Sequence, residues 1–142
     1  MVTGERTNEV QALLARTREW SSRRPDVVAA GLVGSRACGD ARMDSDVDLV
    51  LLTTAKQDYL ENESWVRELG GLRIIKTEQW GPEMTERRFI LPSGLEVEAG
   101  IAPPSWAATD PVDPNLKPIL REGFRILYDP EGLLGRLLEA CD

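Results

Sequence analysis

Two seven-residue apolar runs constrain this chain most: VVAAGLV at 27–33 and VDLVLLT at 47–53. Each is short, apolar and bounded by polar residues, so each reads as a buried strand. The first run stops at Gly34. The second opens on Asp46-Val47-Asp48. Side chains two apart on a strand share a face, roughly 6–7 Å apart along the chain. Asp46 and Asp48 therefore look the same way, while Val47 and Leu49 look into a core. Two carboxylates on one face repel each other. Water makes that tolerable, and a divalent cation between them makes it favourable.

The remaining pattern fills in a sheet and its helices. Val10, Leu13, Leu14, Thr17 and Trp20 recur at helical spacing and predict an amphipathic helix over 9–20, ended by Ser21-Ser22-Arg23-Arg24-Pro25. Residues 35–45 are small and polar with Gly39 inside, a loop with room for one helical turn. A helix is expected over 57–69, carrying Tyr59, Leu60, Val66 and Leu69 and closed by Gly70-Gly71. Strands are expected at 72–77, 86–91 and 95–101, the last two joined as a hairpin by Pro92-Ser93-Gly94. Residues 102–118 hold five prolines and read as irregular, with a short turn at 105–108. Residues 124–128 suit a last short strand, and Pro130-Glu131 would open a final helix. The sum is an α/β or α+β fold, a mixed β-sheet flanked by helices, in one domain over 1–142. Its core spans about 7–101, with a C-terminal extension over 102–142.

Composition narrows the chemistry. The 142 residues include no histidine, which excludes a Ser-His-Asp triad, a histidine-based zinc site and a histidine general base. The two cysteines, Cys38 and Cys141, form no CxxC pair, so neither a disulfide framework nor a zinc ribbon is supported. They suit reduced thiols in a cytoplasmic protein. The formal net charge of −7 argues against long nucleic acid as a partner. No apolar run approaches the roughly 18–20 residues that span a bilayer, and no signal peptide opens the chain, so no membrane partner is expected.

Acid–base and metal chemistry must then rest on carboxylates, and the informative stretch is Gly34-Ser35, ten residues, then Asp46-Val47-Asp48-Leu49. Glycine lets a phosphate approach the backbone, the following amides can donate to it, and the Ser35 hydroxyl can add a donor. Oxygen ligands without His or Cys select Mg²⁺ or Mn²⁺. A phosphate held beside such a metal describes phosphoryl or nucleotidyl transfer. A calcium loop counted from Asp44 fails, because its sixth and twelfth positions are Leu49 and Ala55 rather than Gly and Glu. The Asp-x-Asp of sugar-nucleotide glycosyltransferases usually sits in a larger nucleotide-binding domain than this chain allows.

The same stretch, with Val33 and Val47 at its hydrophobic positions and the Ser45-Asp46-Val47-Asp48-Leu49 form, resembles the signature of the DNA polymerase beta-like nucleotidyltransferase superfamily. It is most similar to the minimal and antibiotic-type members. The resemblance implies that a third carboxylate comes from a later strand, where Glu96 and Glu98 share a face. Glu98 is favoured because Glu96 lies nearer the turn. It implies catalytic and metal-binding roles for Asp46, Asp48 and Glu98 (alternate Glu96), holding two Mg²⁺ ions. One ion would orient the triphosphate and the other would lower the pKa of the acceptor hydroxyl, with the third carboxylate as a candidate base. It implies an NTP substrate, ATP being favoured, and a hydroxyl-bearing acceptor, either a small molecule or a protein.

Nucleotide-binding roles are expected for Gly34, Ser35, Arg36 and Arg88. Arg42, Lys76 and Arg87 are further candidates for the phosphates, and Trp80 for stacking on a base, although packing in a core or turn is the commoner use of such a residue. Antibiotic-modifying members generally carry a second helical domain, whereas only about 40 residues follow Ile101 here. The acceptor pocket is then expected to be shallow, or completed by a second copy or a helical partner protein. The alternative function is an antitoxin-like or nucleotide-binding module acting with such a partner.

Overall fold

In the computed structural model, the described residues are 3–38, 46–109 and 111–141, without the side chains of Ser35 and Cys38. Helix α1 (Gly4–Arg23) leads into β1 (Val27–Val33), the single turn α2 (Ser35–Cys38) and β2 (Val47–Thr53). Helices α3 (Lys56–Glu61) and α4 (Ser64–Glu68) follow, then β3 (Arg73–Trp80), β4 (Met84–Ile90) and β5 (Glu96–Ala102). A 3-10 turn (Pro104–Ala107), α5 (Leu116–Arg121), β6 (Phe124–Tyr128) and α6 (Leu133–Ala140) complete the chain.

The strands form one six-stranded sheet in the order β3-β4-β5-β2-β1-β6. Only the central β2–β5 pair is parallel; the other neighbours run antiparallel. The expected mixed sheet with flanking helices is therefore what the chain forms. Alternation sorts β2 between two cores. Val47, Leu49 and Leu51 pack with α1, Tyr59, Trp65 and Phe89 on one face. Val50 and Leu52 pack with Trp106, Leu116, Leu120, Leu134 and Leu137 on the other. Residues after Ala102 thus supply most of the second layer and, through β6, one edge of the sheet.

Both seven-residue runs keep the expected bounds, 27–33 and 47–53. Helix α1 is longer than its apolar stripe predicts. The Thr3 hydroxyl caps its start by accepting from the Arg6 amide, and the Ser21 and Ser22 hydroxyls bond back to the Thr17 and Glu19 carbonyls, so serines do not end it. It stops where Arg24 turns extended before Pro25.

The single helix expected over 57–69 is two short ones, broken at Asn62. There the Asn62 and Tyr59 carbonyls accept hydrogen bonds from the buried Arg87 guanidinium and from the Trp65 indole. Those donors take carbonyls that a continuous helix would use itself. Within the proline-rich stretch, α5 forms with Pro118 in its first turn, where a missing amide costs nothing. The final helix starts at Leu133 rather than at Pro130, with the Asp129 carboxylate accepting from the Leu134 and Gly135 amides.

Candidate functional site

The site lies where β1 ends and where β2 and β5 begin, on the sheet face shared with Trp106. Gly34 follows β1 with φ of +82°, a left-handed conformation that glycine adopts without strain. A side chain there would also collide. A Cβ on Gly34 would stand 2.9 Å from Asp48 Oδ2. The glycine therefore leaves a cradle directly beside an aspartate oxygen. Its own amide donates to the Gly123 carbonyl at 3.1 Å, so any backbone donors for a phosphate belong to the residues after it.

Strand register assembles the carboxylates. Asp48 on β2 lies opposite Glu98 on β5, and Val47 opposite Val97. Continuing that register brings Asp46, one residue before β2, alongside Glu96. Arg88 on β4 pairs with Glu98. Its guanidinium then ties the group together. Nη1 donates to Asp46 Oδ2 at 2.8 Å and to Glu96 Oε1 at 2.9 Å, and Nη2 forms an ion pair with Glu98. Asp46 and Glu96 are each 37% exposed and Glu98 19%, so the cluster runs from a wet rim inward.

Charge is in surplus around Asp48. Burial pushes its carboxyl up to about 6, the neighbouring Asp46 and Glu86 add to the rise, and Arg88 offsets only part of it. Glu86, two residues before Arg88 on the same face of β4, is also raised, chiefly by burial, while Arg88 pulls the other way. Asp48, Glu86, Glu98 and Glu122 line a cleft of about 310 Å³, walled by Trp80 and Trp106.

Sequence reasoning did not identify Glu86, Glu122 or Trp106. Alternation along β4 could have found Glu86, because Met84, Glu86 and Arg88 share a face. Glu122 and Trp106 reach the cleft through packing of distant segments and leave no local signal. Trp80, read as a core or turn residue or a stacking platform, ends β3 at 55% exposure on the cleft wall.

The other basic residues separate. Arg36 lies close enough to Asp46 and Glu9 for both to favour its charge, although burial and the nearby Arg6 lower its pKa. Arg87, expected to flank the site, instead faces the opposite core. Its Nε donates to Thr77 Oγ1 at 3.2 Å and its Nη1 to the Tyr59 carbonyl at 2.7 Å, so it is structural. Lys76, also offered for the phosphates, pairs with Glu78 at 3.1 Å on the exposed edge strand. Arg42, Ser45 and the hydroxyl of Ser35 lie outside the described residues.

The donor chemistry fits a hard divalent cation: oxygen only, from neighbouring strands, with a guanidinium already standing among the carboxylates as a cation. Among the described residues, no three acidic or sulfur side chains converge tightly enough to hold an ion.

Among solved structures, an aminoglycoside 6-adenyltransferase from Bacillus subtilis aligns at 12% identity and a TM-score of 0.46, over 64% of this chain and 34% of that one. The chain thus corresponds to about a third of that protein's length. No curated protein matches the sequence. The model of the nucleotidyltransferase domain family matches residues 16–91, which is 76 of the 142. That span takes in Gly34, Asp46, Asp48 and Arg88 and stops short of Glu96 and Glu98. With more than half of its length in that match, the chain belongs to the nucleotidyltransferase domain family.

Proposed function

We propose that the chain transfers a nucleoside monophosphate from an NTP, with ATP favoured, to the hydroxyl of a small cationic acceptor, in a reaction that depends on Mg²⁺ or Mn²⁺. Asp46, Asp48 and Glu98 would hold the metal. When bound, it would neutralise phosphate charge and lower the pKa of the acceptor hydroxyl. The acceptor oxygen bonds to the α-phosphorus as the bond to the bridging oxygen of the β-phosphate breaks. Pyrophosphate leaves with that electron pair, and the hydroxyl proton passes to Glu98 as the candidate base. Gly34 admits the phosphates, with Ser35, Arg36 and Arg88 as their ligands.

The observation that carries this reading is the cross-strand register of Asp48 with Glu98, beside a glycine whose Cβ would strike Asp48. The acceptor class follows from the cleft next to it. Glu86 and Glu122 are carboxylates beyond the three assigned to metal, and Trp80 and Trp106 offer flat apolar walls. A volume near 310 Å³ suits a small molecule or a single inserted side chain, and surplus negative charge favours one bearing an amine.

The test is Mg²⁺-dependent turnover and binding of each NTP, for the wild type and for Asp46→Ala with Asp48→Ala. The double variant is expected to lose turnover and metal-dependent nucleotide binding. Equal nucleotide binding by both proteins, with and without Mg²⁺, would show the metal assignment to be wrong. Neutral hydroxyl compounds accepted as readily as cationic ones would refute the acceptor class.

A further inference from the structure

We propose that Arg88 is the built-in counter-ion of the metal site, and that a divalent cation must displace its guanidinium from Asp46 and Glu98 in order to bind. The inference rests on the reading of those two residues as metal ligands, and it adds a competitor to that site.

The case begins with where the guanidinium spends its donors. Its contacts among the described residues go to carboxylates of this cluster: Nη1 to Asp46 and Glu96, Nη2 to Glu98. Two of those three residues are proposed metal ligands. A guanidinium and a divalent cation on the same carboxylates repel one another across a few ångströms, in a partly buried place where screening is weak. They cannot both be held there at full strength.

The neighbouring arginine shows that this arrangement is particular to Arg88. Arg87 is buried on the opposite face and donates to the Tyr59 and Asn62 carbonyls and the Thr77 hydroxyl, partners that carry no net charge and that no metal would claim. Arg87 is fixed by the fold. Arg88 is fixed by charge, at 23% exposure, on a stem long enough to swing toward the cleft. Once a cation takes Asp46 and Glu98, the reason for the guanidinium to stay is gone, and an anion in the cleft becomes its natural partner. The metal-free protein thereby avoids a bare carboxylate cluster, at a cost in metal affinity.

Mn²⁺ binding measures this directly, read from the free-ion electron paramagnetic resonance signal without nucleotide. Arg88→Gln is expected to bind Mn²⁺ more tightly than the wild type, on the order of tenfold. Arg88→Lys, which keeps one charge but cannot bridge three carboxylates, should fall between them. Mn²⁺ binding by the wild type that Arg88→Gln leaves equal or weakens would overturn the proposal, and would make Arg88 a positioning residue for the carboxylates. Absence of binding in both proteins would overturn the metal reading itself, and this proposal with it.

A second measurement needs no variant and so survives a failure of Arg88→Gln to fold. In the ¹⁵N spectrum of the wild type, the side-chain Nε–H signal of Arg88 should shift and become more mobile as Mg²⁺ saturates the protein. A signal unmoved at saturation would refute the exchange.

Discussion

Two arginine–carboxylate clusters stand at opposite ends of the sheet, and they differ in how they settle their charge. The first lies where α1 meets β1. Arg24 donates from Nε to the Tyr59 hydroxyl at 2.8 Å and from Nη1 to Glu68 at 3.1 Å, and its guanidinium lies over the Trp20 and Tyr59 rings at 5.1 and 5.2 Å. Asp26 Oδ2 accepts from the Tyr59 hydroxyl at 2.6 Å and from the Thr53 hydroxyl at 2.7 Å. Burial alone would raise the Asp26 carboxyl. The two hydroxyls and Arg24 outweigh it, and its pKa falls below the ordinary value.

The second cluster is the one around Arg88. There burial of Asp48 is reinforced by Asp46, Glu86 and Glu122 and only partly answered by Arg88, so its pKa rises. Neutral donors let a buried carboxylate keep its charge without outside help. A surplus of carboxylates leaves negative charge that an arriving cation would answer. The first cluster holds the fold together; the second has the electrostatics of a binding site.

The largest effects should come from neutralising one aspartate in each cluster. Asp48→Asn is expected to lower NTP turnover by roughly a thousandfold or more, well beyond the 10–100-fold typical of losing a residue that only orients a metal ligand. In metal-free buffer at pH 8 the same variant should melt at a higher temperature than the wild type, because it removes an uncompensated charge. Asp26→Asn should do the reverse. It should lose about 1–3 kcal/mol of stability by spoiling a satisfied network while leaving turnover at permissive temperature within a few-fold. A destabilised Asp48→Asn at pH 8 without metal would break the comparison.

A smaller effect follows from pH, with opposite signs for the two clusters. Asp48 carries a pKa raised from the ordinary 3.8 to about 6. Its contribution to stability is present below the unfolded value and is lost as pH rises through about 6. Allowing for solvent screening at this partly exposed group, the loss is about 1–2 kcal/mol. Asp26 has a lowered pKa, so its contribution is present above pH 3.8 and is lost as pH falls through its folded value. Chemical denaturation of the metal-free protein between pH 5 and 8 should therefore show a decline through pH 6 that Asp48→Asn abolishes and Asp26→Asn does not. Saturating Mg²⁺ should flatten the same decline, since bound metal supplies the missing positive charge.

How far the sequence revealed these clusters depends on how local each one is. The strands at 27–33 and 47–53 were legible because composition and length settle them within a few residues, and Gly34, Asp46 and Asp48 came with them. Alternation puts Glu96 and Glu98 on one face, and only the β2–β5 pairing adds that Glu98 lies opposite Asp48. The partners of Arg88 are likewise a matter of register across β2, β4 and β5, which sequence alone does not show. The break at Asn62 was hidden because its cause, the Arg87 guanidinium, is 25 residues away. The cluster around Asp26 gave no sequence signal, since Arg24, Thr53, Tyr59 and Glu68 meet only in the folded sheet.

Lys76 gives the smallest expected effect and probes how far the site's field extends. It sits beside Arg88 in the β3–β4 register, one strand farther from the carboxylates. Its own partner is Glu78, with side chains 61% and 44% exposed, a pair of the kind worth little in water. Lys76→Ala should change stability by less than about 0.5 kcal/mol and Mn²⁺ affinity by less than about twofold. A tenfold gain in Mn²⁺ affinity from Lys76→Ala would mean that the positive charge opposing metal is spread along the strand edge. A near-silent Lys76→Ala set against a large effect of Arg88→Gln would confine that opposition to the one guanidinium that touches the carboxylates.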